Sequence, residues 1–198
     1  MAGLNNSMNL FFISSVLTAA SSFGFGVLVL FRSTNKLLAK RWFLFVSSVA
    51  LYGVFAALIA VEKNPHRAML LWWLDYILGV IWISPLFYHF VNHFLGRRAK
   101  TSIYFHYAFA FLCVCVTPTH SYFSYTKWMF NSFYYAQGGW FYFIYSGWWW
   151  GLVLYTHFLL AQAYKSVTQA KKIKFATSFW RWPLVFPEEL FATCQTSE

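Results

Sequence analysis

Acidic side chains are nearly absent from this chain: five Asp and Glu stand against fifteen Lys and Arg in 198 residues. Charged residues of both signs make up 10% of the sequence, where a soluble domain carries about 25%. That deficit excludes an ordinary soluble globular class. Cysteine is scarce as well, with three residues. Cys113 and Cys115 sit two apart, about 200° around a helix, so they cannot face one metal, and Cys194 stands alone near the end. No disulfide framework is implied. The signatures of catalysis are also missing. There is no HExxH, no P-loop, no GxSxG and no dinucleotide fingerprint. An enzyme is not expected, and no cofactor is implied.

What is present is apolar and aromatic sequence in five long runs, roughly 9–31, 42–61, 68–95, 102–118 and 140–164. A helix rises about 1.5 Å per residue and needs about 20 residues to cross a hydrocarbon core. Four runs meet that length, and the fourth in order falls at the short end of the range. The expected fold is all-α, a polytopic transmembrane bundle of five spanning helices. The first run lacks a basic flank before it and is too long for a signal peptide, so it reads as a retained helix.

The net charge of +10 invites a nucleic-acid reading, but the placement of the charge excludes it. Arg32, Lys36, Lys40 and Arg41 follow the first run, Arg97, Arg98 and Lys100 follow the third, and Lys165, Lys171, Lys172, Lys174 and Arg181 follow the fifth. Only Lys63, Arg67 and Lys127 fall on the other side. Twelve against three is a positive-inside pattern, which places the N-terminus outside and the C-terminus in the cytoplasm. The lipid bilayer is the partner implied, with anionic headgroups as secondary contacts of the basic clusters.

The connections are short, with one exception. Residues 32–41 read as a basic inner loop, 62–67 as an outer turn broken by Pro65, and 96–101 as a basic inner turn opened by Gly96. The long outer segment 118–139 carries Tyr122, Tyr125, Trp128, Phe130, Phe133, Tyr134 and Tyr135 and ends at Gly138 and Gly139. Tyr and Trp favour the headgroup level, so an interfacial helix that could cap a cavity is expected there. Beyond 178 the pattern fails. Arg181, Pro183, Pro187, Glu188 and Glu189 forbid a sixth span, and residues 179–198 read as a cytoplasmic or interfacial tail.

The third run holds the candidate chemistry. Asp75 is the single acid inside a span. A charge there costs at least about 2.5 kcal/mol, so it should face the bundle or a wet cavity. Steps of three and four carry the same stripe through Gly79, Trp82, Leu86, His89 and His93. Two readings of Asp75 stand. With Trp72, Trp73 and Tyr76 it forms a small outer pocket for a cationic or hydrogen-bonding ligand, or it is a structural acid bonded to a neighbouring helix. Gly79 and Pro85 are packing and hinge candidates, since Pro85 removes the hydrogen bond to the Ile81 carbonyl. His89 and His93, four apart, have the spacing of a helical metal pair, and His106 and His157 fall at the same depth. A metal or haem site on these four histidines is the alternative. Ser47 and Ser48 read as helix-packing residues. The run Trp148 to Trp150 reads as packing and lipid-facing surface.

Three stretches resemble the N-terminal seven-transmembrane sensor region of bacterial histidine kinases. They are Asn35-Lys36 with the run Phe43 to Tyr52; Trp73, Tyr76 and Gly79 followed by Pro85, Phe87 and Phe90; and Gly139 leading into the tyrosine-rich fifth run. The likeness covers about residues 8–178. It implies a multi-pass protein of the bacterial inner membrane that senses a signal and passes it to a cytoplasmic partner or a second copy. The chain departs from that pattern in having five helices rather than seven, no kinase-like output domain, and an acid, Asp75, outside the family pattern. A truncated or frameshifted product and a shortened stand-alone relative both fit. A small membrane scaffold or transport component is a further alternative.

Overall fold

The computed structural model describes residues 4–129 and 132–166, so the expected tail 179–198 lies outside the described residues. The chain runs α1 (Leu4–Arg32), α2 (Lys36–Val61), α3 (Pro65–Phe94), α4 (Lys100–Val116), strands β1 (Phe123–Met129) and β2 (Phe133–Gly138), and α5 (Trp140–Ser166). The described part is mostly helical. Leu10–Arg32, Lys36–Val61 and Pro65–Phe94 are each long and apolar enough to cross a membrane. Lys100–Val116 is apolar but short. α5 has 27 residues and is rich in tryptophan and tyrosine.

α2 and α3 begin earlier than their apolar runs because their first turns are polar and capped. Asn35 accepts the Leu38 N–H at 3.1 Å, so most of the expected 32–41 loop is the first turns of α2. Asn64 accepts the N–H groups of His66 and Arg67, and Pro65 occupies the first position of α3, where its missing N–H costs nothing.

Small residues let the helices approach, as packing in lipid requires. A Cβ on Gly53 of α2 would stand 2.7 Å from the Ala19 nitrogen and 2.8 Å from the Ser15 carbonyl of α1. A Cβ on Gly79 of α3 would stand 3.0 Å from the Tyr52 nitrogen and 3.2 Å from the Ser48 carbonyl of α2. α3 is the hub. It packs on α2, α4, α5 and the hairpin, whereas α1 lies mainly along α2. Leu17, Phe31, Phe105, Phe111, Phe143 and Leu154 are exposed on the outward faces of α1, α4 and α5. Large apolar surface of this kind belongs against lipid.

Residues 118–139 correct the expectation of an interfacial helix and of a purely α fold. β1 and β2 pair antiparallel, from Phe123 opposite Gly138 to Met129 opposite Phe133, with an irregularity between Phe123 and Tyr125. Tyr, Trp, Phe and Thr favour a pleated surface as strongly as they favour a membrane interface. Backbone pairing decides between the two: residues 125–129 stand in unbroken register opposite 133–137, and Phe123 at the base of the ladder is buried while Tyr125 and Lys127 are exposed. The hairpin is fastened to α5, where the Gly139 N–H donates to the Tyr122 carbonyl at 2.7 Å. A side chain on Gly139 would strike the Ser121 carbonyl, so only glycine fits this junction.

Candidate functional site

α3 does not run evenly. Between Tyr76 and Val80 it opens into one π-helical turn, and the Ile81 N–H reaches back five residues to the Tyr76 carbonyl. Such turns insert one residue into a helix and recur at functional sites. Side chains take up the freed carbonyl capacity: the Trp82 indole donates to the Ile77 carbonyl at 2.7 Å, and the Tyr145 hydroxyl donates to the Val80 carbonyl at 3.3 Å. Pro85, buried, lies five residues further on. The middle of α3 therefore carries two departures from regular helix.

Asp75 sits at the start of this turn and is fully buried. Neither carboxyl oxygen accepts a hydrogen bond from any described residue. Tyr52 of α2 and Tyr145 of α5 lie close enough to interact with it electrostatically. Those two tyrosines were not distinguishable in the sequence, where each is one aromatic among many. Gly79, one turn further on, is pressed against α2. Of the expected partners, Trp72 turns upward, donating its indole N–H to the Tyr134 carbonyl at 2.9 Å and meeting the Tyr135 ring edge-on at 5.2 Å. The Trp73 indole nitrogen is buried and makes no hydrogen bond with a described residue. Tyr76 packs edge-on against Phe123 at 4.9 Å and Tyr122 at 5.7 Å, and its hydroxyl meets that of Tyr142 at 3.5 Å.

The hairpin is thus part of the core beneath it. Tyr122, Phe123 and Ala136 are buried with Tyr76, Ile81 and Tyr145. Its far side reaches the α2–α3 turn: the Thr126 hydroxyl donates to the Pro65 carbonyl at 3.3 Å, and Lys63 lies over the Trp128 ring at 5.0 Å. Phe11 of α1 stacks on Phe133 at 4.7 Å. The Tyr122 hydroxyl is buried without a hydrogen-bond partner among the described residues. Burial, and then the neighbouring Tyr145, pushes it well above the usual tyrosine range.

The four histidines do not gather at one point. His89 Nδ1 meets the Tyr107 hydroxyl at 3.0 Å. His106 Nδ1 accepts from the Trp148 indole at 3.2 Å. His157 is exposed and bonds to the Val153 carbonyl one turn back in its own helix. Among the described residues, no group of three or more His, Cys, Asp or Glu is placed to hold a metal ion. His89 and His93 instead share a cleft of about 420 Å³ with Arg41, Arg97, Arg98 and Lys100. It opens where α2 begins, α3 ends and α4 begins. Sequence reading placed these cations in two separate connections and did not bring them together.

The extended stripe is only partly kept. Asp75 and Gly79 face α2, while Trp82 and His89 both reach the Tyr107 ring of α4, at 6.4 and 5.7 Å. The extra residue of the π turn rotates the later part of the helix relative to the earlier. No protein-family model matches this chain, and neither a curated protein nor a solved structure does.

Proposed function

We propose that this chain is a non-enzymatic, membrane-embedded sensing module with five spans, its N-terminus outside and its C-terminus in the cytoplasm. The observation that carries the reading is the Asp75 carboxyl, fully buried in a spanning helix with no hydrogen-bond partner among the described residues. Ionisable groups at such depth are costly and mark functional positions. The chemistry that would complete it is a small cation or a hydrogen-bond donor, received between Tyr52 and Tyr145 once the hairpin lifts from Tyr76. α3 carries the consequence inward, because its π turn and Pro85 make it the helix best able to adopt two packings. A ligand shifts such an equilibrium only by binding the two packings unequally. The basic end of the bundle is where an output partner or a second copy would read the change.

Tryptophan emission reports on this site, since Trp72 and Trp73 lie three and two positions before Asp75 in the chain. The purified protein is titrated with methylguanidinium, tetramethylammonium, sodium and potassium. A saturable change with at least one of them, lost in Asp75→Asn, is expected. A response that Asp75→Asn retains, or no response to any of the four, contradicts the reading.

A further inference from the structure

The cleft at the basic end owes nothing to Asp75, and the charged groups that line it among the described residues are of one sign. Arg41 comes from the first turns of α2, Arg97 and Arg98 from the α3–α4 turn, and Lys100 from the first position of α4. His89 and His93 add imidazole nitrogens from the last turns of α3, and among the described residues no Asp or Glu lines the cleft. Arg41, Arg97 and Lys100 bring positive charge to one space, and an anion bound there would offset their mutual repulsion. Arg41 already lies within electrostatic reach of both histidines.

The backbone points the same way. Gly96, at φ +67°, turns the chain so that Arg97 and Arg98 come directly to the rim. α4 then starts at Lys100 with no side-chain cap and no acid in its first turn. Its first N–H groups lack an intrahelical acceptor, and the positive end of the helix faces the cleft. An uncapped start beside arginines is the arrangement that suits a phosphate group, which takes bidentate bonds from guanidinium and further bonds from backbone N–H. The volume, about 420 Å³, falls in the range of small-ligand sites. Leu38, Phe94 and Ile103 supply an apolar wall. That wall fits a phosphate carrying an organic remainder.

We propose that this cleft is a binding site for a phosphate mono- or diester, held by Arg41, Arg97, Arg98 and Lys100. The group belongs either to a membrane lipid headgroup or to a soluble phosphorylated molecule, and both present the same oxygens to the same cations.

The test uses the full chain, purified in a neutral detergent. The probes are inorganic phosphate, dihexanoyl phosphatidylglycerol, and dihexanoyl phosphatidylcholine as a zwitterionic comparison, with binding read by native mass spectrometry. The triple variant Arg41→Gln, Arg97→Gln, Arg98→Gln is compared with Arg32→Gln, Lys40→Gln, Lys165→Gln, which removes equal charge outside the cleft. The cleft triple should bind the anionic probe about a hundredfold more weakly, and the other triple should stay within about twofold of the parent. Binding of inorganic phosphate with this dependence assigns the site to the phosphate group itself. Binding of phosphatidylglycerol alone assigns it to a lipid headgroup. Acetylation of the unaltered chain removes any dependence on how the variants fold: a bound probe should slow modification of Lys100 and leave Lys40 and Lys165 unchanged. Equal loss in both triples, or no protection of Lys100 by either anionic probe, overturns the proposal.

Discussion

At the residue scale the decisive feature is one carboxyl group. Buried polar atoms in native proteins nearly always find partners, and an orphan among them has either a function or a cost. Asp75 has no described hydrogen-bond partner, so replacing it with a side chain of similar size and no polarity should relieve that cost. Asp75→Leu should raise the thermal midpoint of the detergent-solubilised protein, by an increment equivalent to about 1–3 kcal/mol. It should also abolish any response to small cations. A lowered midpoint would show that the carboxyl is paired within the bundle and serves structure alone. Much of this residue's importance was legible in the sequence, because an acid inside an apolar run stands out. Its companions were not. Tyr52 and Tyr145 lie 93 positions apart and nothing in either local pattern connects them; only the crossing of α2 and α5 over α3 does so.

The hairpin makes the clearest case at the element scale. Its residues are those that anchor proteins at a membrane surface, and composition alone cannot separate that use from strand pairing. The burial of Phe123 and Ala136 beside Tyr76 and Tyr145 shows that the segment closes one end of the core. This burial makes stability depend on pH. An unfolded tyrosine ionises near pH 10, whereas burial holds the Tyr122 proton well above that range. Its contribution to stability is complete below pH 10. It is lost as pH rises further, because the unfolded chain then gives up a proton that the folded chain retains. The slope for one such group is about 1.4 kcal/mol per pH unit. Thermal midpoints measured from pH 8 to 12 should therefore fall above pH 10, and less steeply in Tyr122→Phe. Identical slopes in the two proteins would show that Tyr122 ionises freely in the fold. The π turn of α3 is the other element hidden from the sequence. Trp72 to Ser84 reads as an unbroken helical pattern, and the inserted residue shows only in the backbone, where the Ile81 N–H bonds to the Tyr76 carbonyl five residues back. The caps at Asn35 and Asn64 were legible in principle, since asparagine before a helix is a recognised start, but the apolar runs drew the boundaries inward.

At the scale of the whole molecule, the positions of the cations organise the account. α3 and α5 run parallel, as their contacts show: Tyr76 meets Tyr145 at the hairpin end and Phe87 meets His157 towards the other. The alternation of helices therefore collects the basic connections at one end, as the positive-inside reading of the sequence requires. That end should face the cytoplasm. In cells expressing a chain whose native cysteines are replaced, a membrane-impermeant maleimide should label Lys127→Cys in the hairpin and spare Thr34→Cys between α1 and α2. Labelling of Thr34→Cys alone would invert the topology and place the anion cleft outside. The long apolar runs made the helical class legible from sequence. The convergence of Arg41 with Arg97 and Arg98 was not, because it depends on how α2 and α3 cross rather than on any spacing along the chain.

The central claim is that the state of Asp75 is transmitted along α3 to the basic end. The most direct measurement is the distance between nitroxide labels at Lys40→Cys and Lys165→Cys, taken by pulsed electron resonance in lipid nanodiscs, with Asp75 present and with Asp75→Asn. A shifted or redistributed distance between the start of α2 and the end of α5 is expected when the carboxyl is replaced by the amide. Superimposable distributions in the two proteins would contradict the claim.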